Sequence, residues 1–177
     1  SFNSIAYISK CHIHNSYYKY ETVAQALIVE IDAENRVLVK VLDVTANRIL
    51  CTYLIDNVTS PNKDKYSHET RENAAEAPTF ADNAQLTVQK SGTTTKITVP
   101  QASVVANSGN EVYLYRLTVT DAYGNVVLTD WELSQYYIAD RPDSITFSVQ
   151  LPSDAKYISV AAEDVWGHLS EPLTAGI

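Results

Sequence analysis

The chain has 177 residues, 45% hydrophobic and 19% charged, so it is long enough and apolar enough to bury a core. Its formal net charge of −8 argues against a nucleic-acid partner, because no basic stripe is present to displace counterions from phosphates. No apolar run of about 18 residues occurs, which argues against a membrane-spanning helix. The 12 tyrosines, with many Val, Thr and Ile residues, favour β-structure.

The sequence contains no methionine. A chain that starts at its own initiation codon begins with methionine, so we expect a processed product or a piece of a longer protein. The two cysteines, Cys11 and Cys51, both fall in strand-like runs. One disulfide and two buried thiols are both compatible with that placement.

Strand-like runs follow one another in the first third of the chain. Ala24–Asp32 and Arg36–Val44 flank a tight turn at Glu34-Asn35, and Ile49–Asp56 follows. Apolar residues occupy both alternating sets of positions, which predicts a hairpin buried on both sides. These strands are too few to form a stable core, so we expect them to be the edge of a larger sandwich.

The composition changes after Val58. Thr59–Pro78 is polar, which indicates a linker with one short helix over Glu69–Glu76. From Thr79 onward, short alternating runs separated by turns predict about seven strands arranged as a β-sandwich. The predicted organisation is therefore β-strands in 1–58, a polar linker in 59–78 and a sandwich in 79–177.

The run Leu151–Leu173 combines a Leu-Pro corner, a tyrosine that opens a strand, alternating small apolar residues, and a turn with Gly and Ser-x-Pro. The residues in those places are Leu151, Tyr157, Val160, Ala162, Gly167 and Ser170-Glu171-Pro172. This pattern resembles a fibronectin type III domain. The resemblance implies an immunoglobulin-like sandwich in which the Tyr157 hydroxyl bonds back to the backbone as a tyrosine corner.

A second resemblance rests on the order of short motifs along the whole chain. These are Ser4-Ile5, Cys11-His12-Ile13, Ser16-Tyr17-Tyr18, Ala26–Glu30, Arg36–Asp43, and then Ala162, Asp164, Trp166, Gly167, Ser170, Pro172 and Leu173. The order is similar to that in the C-terminal part of calcineurin-like metallophosphoesterases secreted by Gram-positive bacteria. The resemblance implies that 1–58 are the terminal strands of a phosphoesterase β-sandwich. It also implies a parent enzyme that hydrolyses phosphate esters with two divalent metals.

The stretch Lys10–Asn15, KCHIHN, is the candidate metal site. In one interpretation His12 and His14 are the family's final His-x-His ligand pair, and the two metals polarise a phosphoryl group and activate water. The family's upstream Asp-x-His, Gly-Asp and Gly-Asn-His segments are not in this sequence. In the interpretation we favour, the stretch is a strand with His12 and His14 on one side. We then expect no catalytic residue, cofactor or metal in this chain.

Three aromatic residues form the candidate ligand surface. Trp166, Tyr136 and Tyr137 together could stack on a sugar ring, because aromatic faces offer apolar area with polar rims. Core packing of Trp166 is the alternative, and we favour it. We expect His168, in the turn after Trp166-Gly167, to be exposed and inert.

These observations predict an all-β, non-catalytic accessory region of a calcineurin-like metallophosphoesterase. Whether the chain is itself an enzyme stays open, but its expected partner is the upstream catalytic domain of the same polypeptide. The expected location is extracellular or at the cell surface. The alternative is an extracellular carbohydrate-binding or adhesion module that contacts cell-surface glycans. A weaker hypothesis is a small zinc-dependent domain that uses Cys11, His12 and His14.

Overall fold

The computed structural model describes residues 25–56, 64–106 and 108–177. Within those ranges the protein has ten strands and one short helix. The strands are β1 (Gln25–Ile31), β2 (Val37–Asp43), β3 (Arg48–Ile55), β4 (Thr87–Ser91), β5 (Thr94–Pro100), β6 (Val112–Thr120), β7 (Val126–Leu133), β8 (Ser144–Val149), β9 (Tyr157–Asp164) and β10 (Leu173–Gly176). The prediction of an all-β fold is therefore confirmed.

The helix α1 spans His68–Ala74 and confirms the short helix predicted in the polar segment. Ser67 caps it, because the Ser67 hydroxyl accepts a hydrogen bond from the Thr70 amide at 3.2 Å. None of its residues is buried. Within the described ranges no helix is both long and apolar enough to cross a bilayer.

The chain divides into two compact units. The first, which we call the N-terminal unit, comprises Ser1–Ala74 and Tyr137–Arg141, and the second, the sandwich unit, comprises Ala75–Tyr136 and Pro142–Ile177. The division at Ala75 falls inside the segment predicted as a linker. The short segment Tyr137–Arg141 joins the first unit although it lies far along the chain.

In the N-terminal unit, β1, β2 and β3 form an antiparallel sheet in that order. The prediction that its hairpin is buried on both sides is wrong. Val41 on the central strand is 1% exposed, but Val29 and Ile31 on β1 are 54% and 72% exposed. Burial is greatest on β2 because neighbours shield the central strand on both sides, whereas β1 has β2 alone as its described partner.

The sandwich unit consists of two antiparallel sheets, one with strand order β4-β5-β8 and one with order β10-β9-β6-β7. Inward side chains of both sheets share one hydrophobic core, which confirms the predicted sandwich. The completely buried core members are Ile97, Val99, Tyr115, Val119, Phe147, Ile158, Val160 and Ala162. Alternation along β5, β6, β8 and β9 places these residues on the inner faces.

A β-bulge changes the predicted face of Tyr113. Sequence alternation puts Tyr113 on the same side as Tyr115, but the register of β6 against β9 shifts between Val112 and Leu114. The extra residue reverses the alternation locally. Tyr113 is 37% exposed as a result, whereas Tyr115 is completely buried.

The tyrosine corner expected at Tyr157 is not formed by that residue. Tyr157 opens β9 but is 57% exposed, so its ring does not lie in the core. The buried tyrosine that bonds to the backbone is Tyr115. Its hydroxyl accepts a hydrogen bond from the Ala102 amide at 2.7 Å and donates one to Gln101 Oε1 at 2.6 Å.

Three hairpin connections use one five-residue turn. They are Asp32–Arg36, Asp121–Asn125 and Asp164–His168. In each, Oδ1 of the first-position aspartate accepts the amides of the third and fifth residues at 2.8 to 3.0 Å. The fourth residue has positive φ: 60° at Asn35, 85° at Gly124 and 93° at Gly167. Glycine and asparagine tolerate that region best, which explains their presence there.

The fifth residue of each turn adds a side-chain bond to Oδ2 of the same aspartate. Arg36 Nε lies 2.6 Å from it, Asn125 Nδ2 2.8 Å, and His168 Nδ1 3.1 Å. Hydrogen bonding to the ionised form lowers the pKa of Asp32, where the Arg36 amide is the largest cause, and of Asp121, where the Asn125 side chain is. The turns at Asp32 and Asp121 are therefore held by the carboxylate rather than by burial.

Candidate functional site

The candidate metal residues Cys11, His12 and His14 lie outside the described residues. Two points therefore stay predictions: whether KCHIHN is a strand or supplies metal ligands, and whether Cys11 pairs with Cys51. Cys51 itself lies on β3, with its Sγ 3.4 Å from Tyr53 Oη. Across the described ranges, no group of three or more His, Cys, Asp or Glu side chains is placed to hold a metal ion.

A buried polar cluster lies at one end of the sandwich unit and centres on Asp164, which is 1% exposed. Its Oδ2 accepts a hydrogen bond from Asn110 Nδ2 at 2.7 Å and lies 3.1 Å from His168 Nδ1. Asn110 also donates to the Glu76 carbonyl at 3.1 Å and accepts from the Glu111 amide at 2.9 Å. We call Asn110, Asp164 and His168 the Asp164 cluster.

The Asp164 cluster has a structural role in this geometry. With two turn amides on Oδ1 and two side chains on Oδ2, the carboxylate already has four hydrogen-bonding partners. The nearby Ser170 hydroxyl is also engaged, since it accepts the Ala162 amide at 2.9 Å. His168 is therefore not the exposed turn residue that the sequence predicts, because it is half-buried and its Nδ1 lies against the buried Asp164 carboxyl group.

The three predicted aromatic ligand residues occupy different environments. Tyr136 packs edge-to-face on Tyr113, with ring centroids 5.8 Å apart. Trp166 is half-buried in the β9–β10 turn, where its amide bonds to Asp164. Tyr137 belongs to the N-terminal unit and is only 5% exposed, so its ring offers little area to a ligand. A shared surface of all three residues stays a prediction.

One shallow depression of about 500 Å³ lies in the N-terminal unit. It is lined by Arg48–Leu50 and Ile138–Arg141. Arg48 forms an ion pair with Asp140 there, and both side chains are largely exposed. An exposed ion pair of this kind contributes little to stability.

A clamp joins the end of β3 to the turn before α1. Asp56 Oδ2 lies 2.5 Å from Lys65 Nζ, and Asp56 also bonds to the Tyr66 hydroxyl. The Lys65 ammonium lies 5.5 Å from the Tyr66 ring centroid. Hydrogen bonds from Lys65 and then Tyr66 lower the pKa of Asp56, and the bond to Asp56 raises the pKa of Lys65.

We expect the clamp to open at low pH. The pKa of Asp56 is lowered from 3.8 on folding, so its stabilising contribution is present above 3.8 and is lost as the pH falls through the folded value. Carboxyl NMR titration should place the Asp56 midpoint below 3.8, and Lys65→Gln should move it back towards 3.8. An Asp56 midpoint at or above 3.8 would show that the clamp does not form in solution.

The outward face of the four-stranded sheet carries polar and aromatic side chains that sequence reasoning did not select. Leu117 and Val119 on β6 point into the core, so Thr118 between them points outward. Thr118 pairs with Thr129 on β7 and with Ser159 on β9, and Ser159 pairs with Thr174 on β10. The alternation of Thr118 with apolar neighbours is visible in the sequence. The row of hydroxyl residues across four strands is apparent only when the strand registers are known.

No protein-family model and no curated protein matches the chain. Solved structures that align with it include a hypothetical protein from Pyrococcus horikoshii OT3, at a TM-score of 0.38 and 10% identity over 58% of this chain and 88% of that chain. The superoxide reductase from Nanoarchaeum equitans aligns at 0.37 and 10%, over 58% of this chain and 100% of that chain. An endonuclease/exonuclease/phosphatase from Beutenbergia cavernae DSM 12333 aligns at 0.36 and 16%, over 59% of this chain and 28% of that chain. TM-scores this low identify neither a family nor a function.

Proposed function

We propose that the chain is a non-catalytic accessory region of a secreted calcineurin-like metallophosphoesterase. In this proposal β1–β3 pack against an upstream catalytic domain of the same polypeptide, and the sandwich unit is a fibronectin type III-like spacer outside the cell. The parent enzyme would carry the two divalent metals. The observation that supports the proposal most directly is an apolar sheet face that the described residues leave partly exposed.

That apolar face is defined by the strand registers of the N-terminal unit. Cross-strand partners share a face, so the pairs Leu27–Val41, Val29–Val39 and Ile31–Val37 line one side of β1 and β2. Their partners on β3 extend it. The apolar residues of this face are Leu27, Val29, Ile31, Val37, Val39, Val41, Cys51, Tyr53 and Ile55, and a polar row of Gln25, Asp43 and Arg48 lies at its end. A face whose central rows carry no charge and that still exposes half of Val29 is typical of an interaction surface.

The opposite side of the same sheet differs in chemistry. It carries an ion pair between Glu30 and Lys40, with Nζ and Oε1 2.7 Å apart. Leu54 and Ile28 on that side are 58% and 40% exposed. The charged pair fits a solvated side, which leaves the apolar face as the side that packs against a partner.

The size of the apolar face favours a covalently joined partner. Strands of this length and number span roughly 23 Å by 14 Å. Each partner in a stable complex of separate chains buries about 800 Å². The face is smaller than that, but a domain in the same polypeptide loses much less translational freedom on docking than a separate chain does.

The sandwich unit supports the spacer part of the proposal by its strand order. A three-stranded sheet β4-β5-β8 against a four-stranded sheet β10-β9-β6-β7 corresponds to the order A-B-E and G-F-C-C′ of immunoglobulin-like sandwiches. Its buried polar groups, including Asp164 and Ser134, bond within the unit. That arrangement suits a rigid spacer.

Hydrogen exchange in a longer polypeptide tests the docking. The coding sequence upstream of Ser1 should encode a catalytic domain, and β1 amides should exchange at least tenfold more slowly in the longer protein than in this chain alone. Amides of β5, in the sandwich core, are the control and should be unchanged. Val29→Lys with Ile31→Lys should abolish the added protection. An upstream frame without a catalytic domain, or equal exchange of β1 in both proteins, would overturn the proposal.

Phosphodiesterase assays test the non-catalytic part. The purified chain should not hydrolyse bis(p-nitrophenyl) phosphate above the blank when Mn²⁺, Zn²⁺ or Fe²⁺ is supplied. The matched control is His14→Ala, which should behave identically. Turnover that is proportional to protein and disappears in His14→Ala would instead identify a metal site at KCHIHN.

A further inference from the structure

The outward face of the sheet β10-β9-β6-β7 presents three rows of side chains. The middle row is the set of hydroxyl residues Thr129, Thr118, Ser159 and Thr174, one from each strand. Such a row offers donors and acceptors at the spacing of neighbouring strands, about 4.8 Å. We call it the hydroxyl row.

The two flanking rows each contain an aromatic residue. On one side Arg116 pairs with Trp131 and with Ala161, and on the other Thr120 pairs with Val126 and with Tyr157. Tyr157 is outward because its neighbour Ile158 packs on the core. Trp131 is outward because its partner Arg116 lies between the core residues Tyr115 and Leu117. Tyr157 is 57% exposed and Trp131 is half-buried. The face ends beyond Trp131 at Leu114 and Leu133, which are buried.

Strand geometry sets the separation of the two aromatic residues. They lie on strands on either side of β6 and in rows two apart, so their Cα atoms are about 16 Å from one another. The hydroxyl row crosses the space between them. This spacing matches the length of a short oligosaccharide whose end rings stack on the aromatic residues while its hydroxyls meet the row.

The charges on the face are balanced. Arg116 forms an ion pair with Glu163, and the hydrogen bond that Arg116 donates to Glu163 raises the pKa of Arg116. The pair leaves no net charge to attract an anion, and the hydroxyl row makes the face too polar for the centre of a protein interface. A neutral ligand rich in hydroxyl groups suits this combination best.

We propose that the outward face of this sheet binds a neutral polysaccharide chain, with Trp131 and Tyr157 as stacking residues and the hydroxyl row between them. The site is distinct from the predicted surface of Trp166, Tyr136 and Tyr137. It does not rest on the proposed docking of β1–β3, because every residue in it belongs to the sandwich unit. A spacer that holds a wall polysaccharide would place its attached enzyme at the cell surface.

The two tryptophans of the chain, Trp131 and Trp166, make a direct test feasible. In Trp166→Phe the fluorescence reports on the sheet face alone, and in Trp131→Phe it reports on the β9–β10 turn alone. Each variant is titrated with cellohexaose, xylohexaose, mannohexaose and maltohexaose. We expect at least one of these glycans to shift the emission of Trp166→Phe and to leave that of Trp131→Phe unchanged.

Affinity measurements then assign the contacts. Tyr157→Ala, and Thr118→Val with Ser159→Ala, should each weaken binding of the responding glycan about tenfold or more in calorimetry. Tyr123→Ala is the matched control, because Tyr123 is 91% exposed at the nearby turn but outside the three rows. Circular dichroism confirms that each variant is folded.

Three results would overturn the proposal. The first is a glycan-induced shift of emission in Trp131→Phe but not in Trp166→Phe, which would place the ligand at Trp166 instead. The second is equal loss of affinity in Tyr123→Ala and Tyr157→Ala. The third is the absence of any response to the whole panel at millimolar glycan, which would show that the face is only a solvated sheet surface.

Discussion

Asp164→Ala should lower the free energy of unfolding of the sandwich unit by about 3–5 kcal/mol, because it leaves several hydrogen-bond donors without an acceptor at about 1–3 kcal/mol for each buried one. The substitution removes a carboxylate that is 1% exposed and that bonds to two amides, Asn110 and His168. The partners left behind are poorly placed to bond to water. Asn110 is itself only 5% exposed, so its lost hydrogen bond adds to the loss of stability.

Chemical denaturation followed by tryptophan fluorescence measures this loss, since both tryptophans lie in the sandwich unit. Asp121→Ala is the matched control. It removes the same first-position aspartate from an identical turn whose third residue, Tyr123, is 91% exposed. We expect that variant to lose clearly less stability than Asp164→Ala, because the partners of Asp121 stay open to water. Equal losses in the two variants would show that burial at Asp164 is not the source of its effect.

The second large effect is expected at Tyr115. Tyr115→Ala should destabilise the unit by about 3–5 kcal/mol, because it removes a completely buried ring from the centre of the core. Tyr115→Phe keeps the ring and removes only the hydroxyl bonds to Ala102 and Gln101. We expect that change to cost about 1–3 kcal/mol, since it leaves a part-buried amide unsatisfied.

Tyr157→Phe is the informative comparison for Tyr115→Phe. The Tyr157 side chain is largely exposed, so loss of its hydroxyl should change stability by less than about 0.5 kcal/mol. Denaturation midpoints of the two phenylalanine variants therefore decide which tyrosine locks the sandwich. A larger loss at Tyr157 would restore the tyrosine corner that the sequence predicts there.

Strand positions and turns were predictable from the sequence because they depend on local patterns. The alternation along Arg36–Val44 and the Asp-x-x-Gly spacing at Asp121 each identify an element without tertiary information. Burial was less predictable, because it depends on what packs against a strand. The apolar residues of β1 therefore suggested two buried faces, although Ile31 is 72% exposed.

The candidate sites were harder to predict because they depend on register and on bulges. The shift between Val112 and Leu114 exposes Tyr113 and so determines where Tyr136 packs. No sequence pattern indicates such a bulge directly. The hydroxyl row has the same origin, since four strands that are distant in sequence contribute one residue each. Tyr157 illustrates the limit of motif matching: the motif found the strand but not the orientation of the ring.

In the three aspartate turns, the hydrogen bonds that shape the hairpin tip do not depend on the side chain at the third position. The first, fourth and fifth positions carry the features that the three turns share, while the aspartate bond to the third position uses that residue's backbone amide whatever its side chain. That third position holds Glu34, Tyr123 and Trp166 in the three turns. The side chain at the third position can therefore change without loss of the hairpin. Evolution or protein engineering can place new ligand-contacting residues there.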